Sequence, residues 1–296
     1  MSLLATVARA TGLNRVPHVK QAVKDAYYAL QDPLRRGVAL AIGGKSIRVP
    51  ARFARPPWTN YEPGATRRVA AWFEAHPDGA LIDVGSSVAL YSLLALASSA
   101  RSEAWAIDSD RVSLQCSRRL CRHVGPSRLH VIHGYAGATP TVDLDAVEVA
   151  AGTAARLDAD RITAEPACAR YECLDTQRAN RIPVHSLDRL FAAAEASRPW
   201  LIKIDIEGAE LLVLEGADAL VRRVRPQLMV SVHRPALRGY GHAPGDVAAW
   251  LHGHNYQSEV DVEPHEEHWW CTPAPADEFP NRPTPEAAPL SPPHSP

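Results

Sequence analysis

The sequence predicts an α/β fold in which a mostly parallel sheet carries helices on both faces and ends in an antiparallel pair of strands. Two observations predict it. From residue 67 to 271, short apolar runs alternate with longer amphipathic ones, which is typical of strands that alternate with helices. The runs around Leu81-Ile82 and Leu201-Ile202 are continuously apolar, as strands buried on both faces are.

The elements follow in order along the chain. The predicted strands are residues 80–84, 103–107, 129–133, 201–204 and 227–232, with a closing antiparallel pair at 256–262 and 267–271. The helices between them are 67–75, 90–97, 111–123, 186–196, 210–219 and 245–251. The stretch 141–180 has no readable pattern of strands or helices.

An N-terminal extension precedes this sheet. Apolar residues at helical spacing predict a helix within residues 3–30, which Asp32-Pro33 ends. Apolar runs at 38–42 and 46–49 flank Gly43-Gly44, which predicts a β-hairpin on a two-glycine turn. Gly44-Lys45-Ser46 is not a phosphate-binding loop, because that motif requires glycine where the chain has Ala39.

The C-terminal segment 272–296 carries nine of the 25 prolines and almost nothing to bury, so we expect a disordered tail. Truncation after Cys271 or Pro273 is therefore expected to be tolerated. The predicted domains are residues 1–65 as an N-terminal helix and hairpin, 66–272 as the main α/β domain, and 273–296 as the Pro-rich tail.

Composition excludes several classes of partner. The 32 Lys and Arg residues balance 33 Asp and Glu, so the net charge gives no electrostatic case for a surface that binds nucleic acid or an anionic membrane. No apolar run approaches the ~18 residues of a membrane span, and the N-terminus lacks the apolar block of a secretory signal.

Five cysteines without a CxxC pair favour a reduced, cytoplasmic setting. Two Cys-x4-Cys pairs could hold zinc, but the first pair falls inside a predicted helix.

The loop after the first strand of the main domain is the first candidate site. Gly85 can take a positive φ and let a ligand approach the backbone, and the next helix offers free N–H groups at its start. Asp83, at the strand end, suits a ligand with an ammonium or sulfonium group. The loop is not a dinucleotide fingerprint, since Ser87 stands where the second glycine is required. A structural turn with a helix cap at Ser86 or Ser87 is the alternative.

The second candidate is Asp108, which ends the next predicted strand about 20 residues beyond the glycine loop. A carboxylate at this spacing can accept both hydroxyls of a ribose, which favours an adenosine-type ligand. Capping of the helix predicted at 111–123 is the alternative role. The string Asp108-Ser109-Asp110 also resembles the metal motif of a glycosyltransferase, but nothing else in the chain indicates a sugar nucleotide.

The third candidate is the segment Lys203-Ile204-Asp205-Ile206-Glu207-Gly208, where three charges alternate onto one side of a central strand. Burial of unpaired charge costs several kcal/mol, so a functional site explains them better than a structural role. Asp205 or Glu207 can act as a general base or hold a hard cation with His233, which ends the next strand. His233 can equally be an ordinary surface residue. The run 265–268, His-Glu-Glu-His, is expected to lie on the surface, since its side chains alternate in direction.

These motifs together resemble the FkbM family of S-adenosylmethionine-dependent methyltransferases. The resemblance extends from about residue 61 to 273 and is most specific in Lys203-Ile204-Asp205-Ile206-Glu207-Gly208-Ala209-Glu210; the run 182–190, Leu214-Glu215-Gly216-Ala217 and the strand ending in His233 add to it. It implies the class I methyltransferase (Rossmann-like) fold, S-adenosyl-L-methionine as cofactor, and methylation of hydroxyl groups on polyketides, sugars or similar molecules.

The resemblance also implies roles for individual residues. Asp83, Gly85, Ser86 and Ser87 would form the cofactor loop, and Asp108 would bind the ribose. The residues facing the transferred methyl group would be Lys203, Asp205, Glu207 and His233. Asp205 is the first choice for base or metal ligand, so Asp205→Ala should mainly lower turnover, and Asp108→Ala should weaken cofactor binding. Whether a divalent cation takes part stays open.

Two rival functions remain. Ser87 and Ala89 replace residues of the family's usual D-V-G-A-N-x-G loop, which favours a cofactor-binding scaffold without methyl transfer, whose Pro-rich tail recruits partners. An NAD(P)-dependent oxidoreductase shares the fold class but requires the glycine fingerprint that this chain lacks. The expected substrate is a small or glycan-like hydroxylated molecule, with no nucleic-acid or membrane partner.

Overall fold

The computed structural model of the chain describes residues 38–49, 61–110, 113–114, 117–118, 121, 124–138, 182–262 and 267–275. The predicted N-terminal helix, the stretch 141–180 and the tail beyond residue 275 lie outside these residues, as do Cys116, Cys168 and Cys173. No helix in the described ranges is both long and apolar enough to cross a membrane.

The described strands are β1 Val38–Ile42, β2 Lys45–Val49, β3 Ala80–Val84, β4 Glu103–Asp108, β5 Leu129–His133, β6 Tyr135–Ala136, β7 Val184–His185, β8 Trp200–Ile204, β9 Gln227–Val232, β10 Tyr256–Val262 and β11 Glu267–Pro273. The helices are α1 Pro63–Ala75, α2 Leu90–Ser98, α3 Leu187–Leu190, α4 Glu210–Glu215, α5 Asp218–Val224, α6 Arg234–Leu237 and α7 Pro244–Gly253. Within the predicted helix 111–123, the described residues 113–114 and 117–118 are helical.

The central sheet has seven strands in the order β10-β11-β9-β8-β3-β4-β5. Pairing is parallel from β9 to β5, while β11 runs antiparallel to both β9 and β10. This is the class I methyltransferase arrangement, so the fold prediction is confirmed. The chain passes from β3 to β4 and β5 on one side and returns to β8 and β9 on the other, so strand order reverses between β3 and β8. Ligands of open α/β sheets bind beyond the carboxyl ends of the strands at such a point.

A separate hydrophobic core lies on each face of the sheet. Alternate strand residues such as Leu81 and Leu201 pack with helices α1 and α2. The intervening residues, including Ile82 and Ile202, pack with α4, α5 and α7 on the opposite face. Because side chains alternate along a strand, Asp83 and Lys203 project toward the α1 and α2 face.

The predicted hairpin is confirmed: β1 and β2 pair antiparallel across Gly43-Gly44. Ile42 and Ile47 are buried against Leu90 at the start of α2, which attaches the hairpin to the main sheet.

Two helix predictions are wrong in length. The helix predicted over 186–196 ends at Leu190, and the one predicted over 210–219 is divided into α4 and α5. The division falls at Gly216, where an added Cβ would lie 2.3 Å from the Gly137 carbonyl oxygen. The Gly216 carbonyl accepts hydrogen bonds from Ser186 Oγ and Asp188 N instead of continuing a helix. The helix is therefore interrupted at Gly216, where the backbone packs against the backbone of Gly137.

Candidate functional site

Lys203 lies at the centre of a charged cluster at the carboxyl ends of β3 and β8. Its Nζ is 3.0 Å from Asp205 Oδ2, 3.7 Å from Asp83 Oδ1 and 4.8 Å from the centroid of the Tyr91 ring. Burial acts to lower the pKa of Lys203, but the attraction of Asp205, Asp83 and Glu62 raises it above its ordinary value. Lys203 is therefore a fixed positive charge and not a base.

His233 joins the same cluster from the residue after β9. Its Nε2 lies 3.6 Å from Asp205 Oδ1, and its Nδ1 lies 2.7 Å from Glu210 Oε1. The side chains of Asp205 and His233 are 18% and 15% exposed, whereas that of Glu210 is fully buried. The structure thus brings three of the predicted catalytic residues together, with Asp205 and His233 nearest to solvent.

The fourth predicted catalytic residue, Glu207, lies in the turn that follows β8. Because β8 ends at Ile204, the predicted alternation of three charges along one strand is wrong. Asp205 instead reaches Lys203 from the turn, and Glu207 takes a left-handed backbone conformation with φ 55°. The next residue, Gly208, is packed so closely on α6 that an added Cβ would lie 2.6 Å from the Ala236 carbonyl carbon.

Sequence reasoning missed a second set of buried polar residues beside Lys203. Glu62 precedes α1, and its Oε2 accepts a short hydrogen bond from the Tyr91 hydroxyl of α2. His268 of β11 places Nε2 3.6 Å from the same oxygen and Nδ1 2.9 Å from Ser231 Oγ. Burial raises the pKa of Glu62 to about 7 against the opposing charge of Lys203.

The expected surface position of His268 is wrong, since this residue is only 3% exposed. The reason is that β11 lies between β9 and β10, so its inward side chains are covered. A signal for Tyr91 existed in the sequence: it is the one aromatic residue in the mostly apolar helix α2. Glu210 gave a similar signal, since it adjoins the buried residues Leu211 and Val213.

The predicted cofactor loop contacts the turn after β8 through its backbone. Gly85 has φ 73°, and an added Cβ would lie 1.8 Å from the Asp205 carbonyl oxygen, so only glycine fits there. Ser86 is buried, and its Oγ has no hydrogen-bond partner in the described residues. Ser87 and Ala89 both have left-handed backbone, with φ 48° and 57°.

Two carboxylates organise this loop. Asp83 is fully buried, and its Oδ2 accepts hydrogen bonds from Ser92 N at 3.1 Å and Ser92 Oγ at 2.7 Å. Burial raises the pKa of Asp83 against the opposing charge of Lys203. Asp108 accepts from Ser87 N at 2.6 Å through Oδ2 and from Asp110 N at 2.7 Å through Oδ1. Both oxygens are therefore fixed in direction by backbone donors, and burial raises the pKa of Asp108 as well.

Comparison with protein families gives a match within this region. A model of the methyltransferase FkbM domain matches residues 129–258, which include Lys203, Asp205, Glu210 and His233. The segment 129–258 is therefore similar to the FkbM methyltransferase domain. The FkbM match begins after β4, so Glu62, Asp83, the glycine loop and Asp108 precede the matched segment.

Three solved methyltransferase structures are similar to this chain. Methyltransferase FkbM from Methylobacillus flagellatus KT is 21% identical, with 64% of this chain and 42% of that chain covered and a TM-score of 0.43. Precorrin-6y C5,15-methyltransferase from Geobacter metallireducens GS-15 is 13% identical, with 71% and 86% covered and a TM-score of 0.39. A SAM-dependent methyltransferase from Aquifex aeolicus is 12% identical, with 69% and 87% covered and a TM-score of 0.37.

The match thus spans less than half of the FkbM structure from Methylobacillus flagellatus. A comparison with curated proteins gave no match.

The sequence leaves open whether a divalent cation binds near Asp205, Glu207 and His233. In the described ranges, no three His, Cys, Asp or Glu side chains are arranged to hold a metal ion. The position between the Asp83 and Asp205 carboxylates is taken by the Lys203 ammonium group.

Proposed function

We propose that the protein is an S-adenosylmethionine-dependent methyltransferase that methylates a hydroxyl group on a small molecule, polyketide or sugar. The observation that carries the proposal is the joined group of Lys203, Asp205 and His233 at the point where strand order reverses. The group lies within the residues that match the FkbM domain, and its turn is in backbone contact with Gly85.

The residues at the carboxyl ends of β3 and β4 fit this cofactor. Asp83, Gly85, Ser86 and Ser87 would form the wall of its site, and Ser86 Oγ, which has no partner among the described residues, is available to a polar group of the ligand. Asp108 is held by two backbone N–H groups and keeps further acceptor capacity for a ribose hydroxyl. The carboxylates around Lys203 outnumber it, which favours a cationic ligand.

When bound, S-adenosylmethionine supplies a methyl group on a positively charged sulfur. The protein residues must accept the proton of the substrate hydroxyl, because an alcohol is a poor nucleophile at neutral pH. Asp205 and His233 are the candidate acceptors, and Glu207 is proposed to line the substrate side. Lys203 fixes the direction of Asp205 through Oδ2. A divalent cation is disfavoured between Asp83 and Asp205, since the Lys203 ammonium group would repel it.

Calorimetric titration of the protein with S-adenosylmethionine and, separately, with NADH tests the proposal. We expect binding of the former alone. Asp108→Ala should weaken that binding about tenfold or more, because one charge-assisted hydrogen bond contributes about 1.5–3 kcal/mol. Asp78→Ala, a change at the opposite end of the sheet, is the control. Binding of NADH alone, or equal binding by wild type and Asp108→Ala, would contradict the assignment.

The second candidate is a cofactor-binding scaffold without methyl transfer. It is favoured by the left-handed backbone of Ser87 and Ala89, positions where glycine would be relaxed. For a scaffold we expect S-adenosylmethionine to bind without methyl transfer to any hydroxylated metabolite in a broad screen. The division into residues 1–65, 66–272 and 273–296 is part of both proposals; β11 extends to Pro273, at the junction with the tail.

A further inference from the structure

We infer that Glu210 is a positioning residue, which holds His233 so that its Nε2 is the proton acceptor of the site. The inference rests on the proposed function and narrows it, because it selects His233 over Asp205 as the base. Two contacts of Glu210 and one of Asp205 carry it.

The first step concerns the proton on the His233 ring. Glu210 Oε1 accepts the Gly208 N–H at 2.9 Å, and the same oxygen lies 2.7 Å from His233 Nδ1. A backbone N–H can only donate, so Oε1 serves as an acceptor, and the ring proton belongs on Nδ1. The neutral ring then keeps its lone pair on Nε2. Because Glu210 is fully buried, water does not compete for this bond.

The second step concerns the groups that lie near His233 Nε2. Asp205 Oδ1 lies 3.6 Å away, which is too long for a good hydrogen bond between the two groups. A single hydroxyl oxygen can nevertheless lie within hydrogen-bond distance of both atoms. Asp205 Oδ2 already accepts a hydrogen bond from Lys203 Nζ at 3.0 Å. His233 Nε2, on the side of the ring opposite Glu210, is thus the acceptor at this end of the cluster.

With His233 as the base, atoms and charges balance in the methyl-transfer step. The substrate hydroxyl gives its proton to Nε2, and its oxygen forms a bond to the methyl carbon. The carbon–sulfur bond breaks with its electron pair on sulfur, so the positive charge passes from the sulfonium to the imidazolium of His233. Glu210 and Asp205, the two carboxylates that face the ring, stabilise that charge. The imidazolium then releases the proton to water.

Nitrogen NMR of the full-length protein labelled with 15N-histidine tests the inference without a substrate. His233→Asn identifies the His233 signals. In the wild type we expect the neutral ring to carry its proton on Nδ1. In Glu210→Gln, loss of the negative charge should lower the midpoint of the His233 titration by about one pH unit or more, a roughly tenfold loss of proton affinity.

Glu215→Gln is the matched control, since Glu215 is an exposed glutamate on the same helix. A wild-type ring protonated on Nε2 would overturn the inference, as would a midpoint that does not move in Glu210→Gln or that moves equally in Glu215→Gln. The wild-type measurement decides the point even if Glu210→Gln does not fold. Calorimetry with S-adenosylmethionine on the same samples separates the two claims: failure of the wild type to bind contradicts the proposed function, while the NMR result still decides the role of Glu210.

Discussion

Charged side chains lie at both ends of the central sheet, but they are more exposed at the amino ends of the strands than at the carboxyl ends. At the amino ends of the strands, Arg101 pairs with Asp78 at 2.7 Å with side chains 65% and 66% exposed. Arg198 pairs with Glu103 at 2.6 Å and stacks on two tryptophan rings. At the carboxyl ends, the Lys203 and Asp83 side chains are only 3% and 1% exposed.

The difference between the two ends lies in how deeply the charged side chains are buried. A cleft of about 430 Å³ opens at the amino ends, lined by Asp78, Arg101, Glu103, Glu195, Ser197, Arg198 and Pro199. Its Arg101–Asp78 pair is exposed and its Arg198–Glu103 pair is partly exposed, and exposed ion pairs contribute little to stability. The carboxyl end instead buries several carboxylates around one ammonium group, an arrangement that stability alone does not favour. Buried charge therefore distinguishes the proposed site from the cleft at the amino ends.

Backbone strain follows the same division. Six non-glycine residues in the described part of the chain have left-handed backbone. Four of them, Glu62, Ser87, Ala89 and Glu207, border the carboxyl end of the sheet. Strained backbone of this kind concentrates at functional sites.

The largest expected effect is that of Lys203→Met. Removal of the ammonium group leaves Asp83, Asp205 and Glu62 without their shared counter-charge, and loss of one partner of a buried ion pair costs about 3–5 kcal/mol. Urea denaturation should show this loss in the free energy of unfolding. Arg101→Ala, which breaks an exposed pair at the other end, should change it by less than about 1 kcal/mol. Equal effects of the two substitutions would contradict the comparison.

A somewhat smaller effect is expected from Glu62→Gln, and it depends on pH. Burial raises the folded-state pKa of Glu62 from 4.5 to about 7, so the protonated form favours the folded state. This contribution is fully present below pH 4.5 and is lost as pH rises through 7. Relative to the wild type, Glu62→Gln should therefore gain stability between pH 5 and pH 8, on the order of 3 kcal/mol at most.

Denaturation of both proteins at the two pH values measures this difference. Glu74→Gln is the control, because Glu74 lies on α1 with a side chain 55% exposed. If the difference between wild type and Glu62→Gln stays constant with pH, Glu62 does not titrate as the structure indicates.

The smallest expected effect is that of Ser87→Gly. The substitution relieves left-handed strain of about 1–2 kcal/mol, offset by about 0.4–1 kcal/mol of added freedom in the unfolded chain. We expect a net gain of about 0.5 kcal/mol in thermal or urea unfolding. Ala89→Gly also loses a buried methyl group, which is worth about 0.8 kcal/mol, so its stability should hardly change. A greater gain for Ala89→Gly than for Ser87→Gly would contradict this reasoning.

The sheet and the site residues that directly follow its strands could be predicted from the sequence, because both depend on where the strands end. Buried parallel strands give continuous apolar runs, and β3, β5, β9 and β10 have the predicted bounds. Charged residues directly after those runs, such as Asp205 and His233, necessarily gather at one edge. The fold brings them within 4 Å of each other, as the alternation of strands and helices indicates.

The rest of the site depends on contacts between distant elements, which no local pattern reports. Glu62 and Tyr91 come from the start of α1 and from α2, and they meet only when both helices pack on one face of the sheet. Glu210 was assigned to a helix, but its inward direction follows from the turn at Gly208. His268 is buried by the strand order, which periodicity within one strand cannot reveal.

The contact between Gly85 and the carbonyl oxygen of Asp205 also limits how this protein can diversify. Position 85 is closed to every side chain, whereas the side chain of Ser87, two residues further along the loop, is exposed. The sequence of the predicted cofactor loop can therefore vary after Gly85. The close contact at Gly85 keeps the two loops that would hold cofactor and substrate at a constant separation. Substrate range could then change through the walls of the site without loss of alignment between donor and acceptor.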